Sequence, residues 1–243
     1  MSIRHMFTSV AEKYDLLNRM LTLGLDKRWR QACAEETASG GIVVDLCCGT
    51  GDLSFQILSH PTLGMDILGL DFNRKMLGRA VEKKSEWQKK LHAAQQQGQA
   101  IDRTGISFIL ADAAHLPIKD GSVDRVGISF SFRNLIYKNP KAKSYLKETV
   151  RALRHEGKFV CVETSQPPNP FVRALFRSYC LKIVPLVGWL VTGNRGAYRY
   201  LGMSAANFPP AQDIVEMLKE SGFRTASFKH LSIGIAALYI ATK

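Results

Sequence analysis

The chain has 243 residues, 46% of them hydrophobic, with 9 Pro and 19 Gly, which suffices for one large core, leaves little room for two catalytic domains, and excludes a disordered, collagenous or repeat-built chain. A formal charge of +12 favours approach to nucleic acid, anionic lipid or an acidic partner without choosing among them. The cysteines (Cys33, Cys47, Cys48, Cys161, Cys180) and histidines (His5, His60, His92, His115, His155, His230) show neither a disulfide framework nor metal-ligand spacing, so no metal is expected and a reducing, cytoplasmic setting fits.

Phe7, Val10, Tyr14, Leu17 and Leu21 recur at three- and four-residue steps and predict a first amphipathic helix. Gly24 interrupts it, Asp26 is placed to cap a second helix through Trp29 and Cys33, and Gly40 with Gly41 ends a helical cover over residues 1–39. This start lacks the unbroken apolar stretch of a secretory signal. A cofactor-binding core follows over residues 40–165. Ile42 to Leu46 reads as a strand, Leu53 to Leu58 as a helix, Ile67 to Leu70 as a strand ending at Asp71, and Arg74 to Ala94 as a long basic helix started by Asn73. Gln95 to Gly105 is a polar connection; Ile106 to Leu110, Val123 to Phe130 and Gly157 to Glu163 are further strands, with a helix at Lys141 to Leu153. Strands separated by helices predict a mostly parallel sheet with right-handed crossovers. The basic residues on both long helices read as solvated faces.

Pro167, Pro168 and Pro170 end the alternation, and residues 166–210, rich in Phe171, Phe176, Tyr179, Trp189, Tyr198 and Tyr200, predict an inserted substrate cap over the carboxyl ends of the strands. Residues 211–243 supply a helix from Asp213 to Ser221 and two strands, Phe223 to Leu231 and Ile235 to Ile240, joined near Gly234 and so antiparallel. The expected whole is one doubly wound α/β domain of Rossmann-like type, with a seven-stranded, mostly parallel sheet and an antiparallel carboxyl-terminal strand.

Asp45-Leu46-Cys47-Cys48-Gly49-Thr50-Gly51-Asp52 lies between strand and helix, where small residues let a cofactor approach the backbone. A dinucleotide would want further glycine spacing for its pyrophosphate, whereas Asp52 suits an amino group or sulfonium; the alternative is a tight turn with acidic capping. Asp45, Gly49 and Gly51 are candidate contacts. Asp71, at the next strand end, can accept from two ribose hydroxyls, or merely form a turn with Asn73. Asp112 can accept from an adenine amine and Ala113 can donate from its backbone, or Asp112 is an ordinary loop residue.

With these residues in place the chain resembles the class I S-adenosylmethionine-dependent methyltransferases, and within them the UbiE/COQ5 family that methylates quinol rings in menaquinone and ubiquinone biosynthesis. The resemblance runs over nearly the whole sequence: Phe7 to Asp15 with Asn18, Gly24 and Trp29; Val44 to Asp52; Asp71-Phe72-Asn73 with Met76-Leu77; Ala111-Asp112-Ala113 with Leu116-Pro117; Asp124; Arg133-Asn134; Gly157; Glu163; Tyr198 to Leu201; Phe208-Pro209; Gly222-Phe223 and Gly234. It implies S-adenosylmethionine as cofactor, Thr50, Phe72 and Ser129 as added contacts beside Asp71, Asp112 and Ala113, and a prenylated quinol as substrate. Demethylmenaquinol is expected because the Cys47-Cys48 form of the loop resembles the menaquinone branch. Ser131-Phe132 stands where the family usually has Gly and a smaller aliphatic residue, and Tyr239 where His is common, which bears on the shape of the substrate pocket.

Carbon methylation needs a ring made nucleophilic by an ionising hydroxyl. Arg133 is the candidate stabiliser of that phenolate, Asn134 can orient the hydroxyl or a water, and Tyr14 and Tyr198 can line the ring; a salt bridge and a packed cap are the alternatives. Other readings are methylation of another phenol or of RNA, although no RNA-binding module is recognisable and nucleic acid is disfavoured, or a noncatalytic cofactor-binding scaffold. The first helices and the segment Pro167 to Pro210 are expected to form a mobile apolar cover admitting the quinol head at the inner face of an anionic membrane. Neither is expected to span it, because Pro185 and Gly188 interrupt the apolar run. Oligomeric state is open.

Overall fold

The computed structural model describes residues 3–60, 64–96 and 105–243. The predicted first helix is two, α1 (Ile3–Val10) and α2 (Tyr14–Leu21), separated by a turn in which the Lys13 N–H donates to the Val10 carbonyl at 3.1 Å. The turn redirects the chain without dispersing its stripe: Val10 and Leu17 still bury together with Val184, Ala197 and Tyr198, with Phe7, Tyr14 and Leu21 packed against them. Helix α3 (Leu25–Thr37) starts from Gly24 in the left-handed region, φ 79. Asp26 is therefore not the cap; it lies in the first turn and turns inward.

The core elements are β1 (Gly41–Leu46), α4 (Asp52–Leu58), β2 (Met65–Asp71), α5 (Arg74–Gln96), β3 (Gly105–Leu110), β4 (Val123–Ser129), a short α6 (Phe132–Ile136) that was not anticipated, α7 (Ala142–Ala152) and β5 (Leu153–Thr164). Most of the expected polar connection, residues 97–104, lies outside the described residues. Strand β5 begins earlier than expected because Leu153 pairs with Val123 before a shift in register. Helix α11 (Ala211–Glu220) leads to β6 (Thr225–Leu231) and β7 (Ala236–Thr242). The seven strands run in the order β3-β2-β1-β4-β5-β7-β6; the first five are parallel, and β7 is antiparallel to both neighbours.

Period-two alternation along β1 sends Val43 to one face and Val44 and Leu46 to the other. One face packs under Trp29, Cys33 and Ala34 of α3 and Leu53 and Ile57 of α4. The opposite face packs under Phe132 and Ile136 of α6, Leu146 of α7 and Ile214, Val215 and Leu218 of α11. With β1 between β2 and β4, the chain reverses its progress across the sheet at this pair, and the carboxyl ends part to leave a crevice.

Above those ends lie α8 (Pro170–Ser178), a π-helical turn (Tyr179–Ile183), α9 (Val184–Thr192) and α10 (Arg195–Ala206). Pro185 and Gly188, expected to interrupt the apolar run, lie within one continuous helix. Pro170–Thr192 is one helix of 23 residues, with mean hydropathy 1.4 over an 18-residue window, long and apolar enough to cross a membrane. Pro185 sits in the first turn of α9, and the wider π turn before it takes up the strain of a residue without an N–H. Glycines set how closely these helices approach: a Cβ on Gly188 would stand 1.9 Å from Tyr198 Cγ, and one on Gly202 2.0 Å from the Cys180 carbonyl oxygen. In an exposed helix Gly→Ala stabilises by about 0.5–1 kcal/mol. Gly188→Ala is expected to do the opposite, costing about 1–3 kcal/mol through overpacking and lowering the melting temperature followed by near-ultraviolet circular dichroism. A raised melting temperature would contradict this packing.

Candidate active site

Two non-glycine residues turn the chain at the crevice in the left-handed region, Cys47 (φ 56) after β1 and Phe130 (φ 53) after β4. Such strain gathers where the surrounding structure over-determines the backbone. The loop after β1 is tied to β2: the Gly49 N–H donates to Asp71 Oδ2 at 2.9 Å, and the Asn73 N–H to Asp71 Oδ1 at 2.7 Å. Burial pushes the Asp71 carboxyl up, against these backbone donors. Asp45 Oδ2 accepts from the Ser54 N–H at 2.9 Å and hydroxyl at 2.6 Å, which secures the start of α4. Burial raises its carboxyl to about 7, with the Ser54 bonds and Arg30 opposing.

A first cavity of about 160 Å³ is lined by Gly49, Asp71, Phe72, Asp112, Ala113 and Asn134, among others. A small pocket beside the loop is lined by Asp45, Gly49, Thr50, Arg30 and Ser129, and the Ser129 hydroxyl there is buried without a hydrogen-bond partner. A Cβ on Gly49 would point into open space, so the loop backbone itself forms part of the cradle. Gly51 lines neither: it precedes α4 with φ 81, and a Cβ would press on Phe108 and Phe55 at 3.0 and 3.1 Å, so its smallness serves loop packing. Thr50 donates to Asp15 Oδ1 at 2.7 Å, while Lys83 Nζ reaches Asp15 at 2.7 Å and Asp52 at 2.6 Å. That network joins α2, the loop and α5.

A second, apolar cavity of about 490 Å³ lies under the helices over the strand ends, walled by Leu21, Trp29, Phe130, Phe171, Phe176 and Val184 among others. Its polar lining includes Tyr14, Asn18, Asp26, Arg133 and Thr164. Tyr14 lines both cavities and the loop pocket, so the three spaces converge on it. Burial pushes its phenol up, with Asn18 and Arg133 opposing. Arg133 is 3% exposed and Glu163 0%. Arg133 Nη1 donates to Glu163 Oε1 at 2.7 Å and to the Thr164 hydroxyl at 3.0 Å, its N–H donates to Glu163 Oε2 at 3.0 Å, and its Nε is buried with no partner.

Sequence reasoning brought Tyr14 and Arg133 to the same cavity, but not their companions. Asn134 lines the first cavity, so it does not stand beside Arg133 in the apolar one. Tyr198 lines neither; it is packed among Val10, Leu17, Val184 and Ala197. Tyr239 is buried in the core beside Phe228 rather than in a pocket wall, and Phe132 packs on Phe159 at 5.7 Å. Ser131 alone of the unusual residues lines the first cavity. Asp26, Asn18, Thr164 and the ion-pair role of Glu163 were not anticipated; no local pattern marks a residue as facing a cavity built by three distant segments. Burial raises the Cys47 and Cys48 thiols well above their ordinary value, so neither is a ready nucleophile. Among the described residues no three His, Cys, Asp or Glu side chains gather as a metal site.

The ubiE/COQ5 methyltransferase family matches residues 1–243. A demethylmenaquinone methyltransferase of Lactobacillus johnsonii is 35% identical over 99% of this chain and 92% of its own. A ubiquinone/menaquinone biosynthesis C-methyltransferase of Citrifermentans bemidjiense is 35% identical over 99% and 96%. In fold, the chain is similar to a SAM-dependent methyltransferase of Thermotoga maritima, with TM-score 0.64, 16% identity, and 98% and 99% of the two chains covered. A match over the full length, with relatives this similar, bears out the motif resemblance: the chain belongs to the ubiE/COQ5 methyltransferase family.

Proposed function

We propose that the chain methylates a ring carbon of a prenylated quinol, converting demethylmenaquinol to menaquinol with S-adenosylmethionine as donor. The observation that carries this reading is the convergence of a polar, carboxylate-lined cavity and an apolar one on Tyr14. The names of the relatives support the substrate class. The first cavity's chemistry fits the donor: Asp71 would hold the ribose hydroxyls through lone pairs its two backbone donors leave open, Asp112 and Ala113 the adenine, and Asp45, Gly49, Phe72 and the unpartnered Ser129 hydroxyl the rest. Thr50 and Gly51 shape the loop. When bound, the donor supplies an electrophilic methyl on a positively charged sulfur.

The protein's work is orientation, exclusion of water and stabilisation of charge on the quinol oxygen. Arg133 does the last, because its charge is permanent and its Nε has no other partner. Residues 1–39 and 166–210 act as the cover, and 40–165 as the donor-binding core. The apolar mouth is rimmed by exposed Leu23, Phe171 and Ile233, and Arg173, Arg177 and Lys182 are exposed along the Pro170–Thr192 helix. This pattern supports peripheral contact with an anionic membrane while the prenyl tail stays in lipid. An apolar cavity disfavours RNA as substrate.

The test supplies reduced demethylmenaquinol, reduced ubiquinone precursors and tail-free phenols, each with and without anionic vesicles, and identifies products by mass spectrometry. Ring-methylated menaquinol, formed faster from tailed substrate on vesicles, is expected; methylation of tail-free phenols alone, or none without RNA, would contradict the reading. Arg133 is tested as Arg133→Met in a Glu163→Gln background, so that no buried carboxylate is left alone. Relative to Glu163→Gln, turnover should fall on the order of 10²–10³-fold while cofactor affinity by calorimetry holds. Equal single-turnover rates would leave Arg133 a purely structural role.

A further inference from the structure

A quinol hydroxyl that ionises in this apolar cavity must pass its proton to some group, and Arg133, already fully protonated, cannot take it. Asp26 is 2% exposed, and among the described residues lining the apolar cavity it is the only carboxylate. The other buried carboxylates each accept backbone N–H donors that hold the fold: Asp45 from Ser54, Asp71 from Gly49 and Asn73, Asp124 from Ile42, and Glu163 from Arg133 and Thr164. Asp26 caps nothing. Its Oδ1 accepts from the Thr22 hydroxyl at 2.9 Å, and its Oδ2 meets Arg30 Nη1 at 3.3 Å. Arg30 also lies 3.5 Å from Asp52 and 5.9 Å from the centre of the Phe130 ring, which itself lines the cavity. Arg30 therefore keeps an anionic partner when Asp26 is neutralised.

The other titratable groups on that wall are Tyr14, Arg133, Tyr179 and Cys180. Burial pushes both phenols up and the Cys180 thiol to about 12, so all three hold their protons, and Arg133 is permanently charged. We propose that Asp26 accepts the quinol hydroxyl proton and returns it after methylation, an inference that rests on the apolar cavity being the quinol site. The hydroxyl O–H breaks and its proton moves to the Asp26 carboxylate. The ring carbon's electron pair forms the new carbon–methyl bond as the methyl–sulfur bond breaks, that bond's pair staying on sulfur. The methylated carbon then loses its hydrogen as a proton to water, its electron pair restores the aromatic ring, and Asp26 returns its proton to the oxygen. One proton is released per methyl transferred, and no oxidant or reductant is needed.

The test is Asp26→Asn in the full chain, with Asp26→Glu as the variant that keeps the acid and near-ultraviolet circular dichroism as the check on folding. A redox-stable nitronaphthol whose neutral and ionised forms absorb at different wavelengths is bound without cofactor, below its solution pKa. The wild type should bind it ionised and Asp26→Asn should bind it neutral, with affinities within a few-fold. With demethylmenaquinol, Asp26→Asn should lose on the order of 10²–10⁴ in kcat at a KM within a few-fold, and Asp26→Glu should recover part of that loss in both readouts. An ionised spectrum for Asp26→Asn, or turnover within about threefold of wild type, overturns the inference. If the wild type methylates no quinol, the proposed activity falls, while the naphthol spectra still decide whether Asp26 takes a hydroxyl proton in this cavity.

Discussion

Parallel strands deliver their carboxyl ends to one side of a sheet, and between β1 and β4 the chain turns back across that sheet, so two strand ends part there with no connection bridging them. The loops that leave those ends, after Leu46 and after Ser129, take up the positive φ values at Cys47 and Phe130, and the Asp71 carboxylate anchors the first of them through the Gly49 N–H. Both cavities open from this crevice. The smaller cavity is built by strand ends and their loops together with Phe7 of α1, Tyr14 of α2 and Asn134 of α6. The apolar one needs a roof, which α2 and the Pro170–Thr192 helix supply.

Charge inside that roofed space has to be organised. Removing an ion pair from water costs several kcal/mol per ion unless further hydrogen bonds compensate. At Glu163 they do: one oxygen takes Arg133 Nη1 with the Thr164 N–H and hydroxyl, and the other takes the Arg133 N–H near the start of α6. The guanidinium is thereby fixed with Nε unspent. Asp26 and Arg30 form a looser pair, at 3.3 Å, on the opposite helix.

The strand, loop and helix order of the core was legible because each element carries its own periodicity and its own boundary residues, from Asp45 through Gly51 and again at Asp71. The helical cover was less so. The turn between α1 and α2 and the π turn before Pro185 have no periodic signal in the sequence, and the close helix approaches at Gly188 and Gly202 belong to tertiary packing. Among site residues, the chemistry of Arg133 and Asn134 suggests that both serve the quinol hydroxyl; on a helix, successive side chains point about 100° apart, which sends them to different cavities. Asp26 follows a glycine at a helix start and so looks like a cap. Its exposure to an apolar cavity depends on segments some 100 or more positions away, Phe130, Phe171 and Ile235, which no local pattern contains.

The most direct measurement is a crystal structure of the protein with S-adenosylhomocysteine and a demethylmenaquinol analogue bound together. The nucleoside should lie against Asp71 and Asp112, and the ring in the apolar cavity with an oxygen facing Arg133 Nε, the two ligands meeting beside Tyr14. A ring bound outside that cavity, or a nucleoside bound away from Asp71, would contradict the two-cavity arrangement on which the proposed methyl transfer depends.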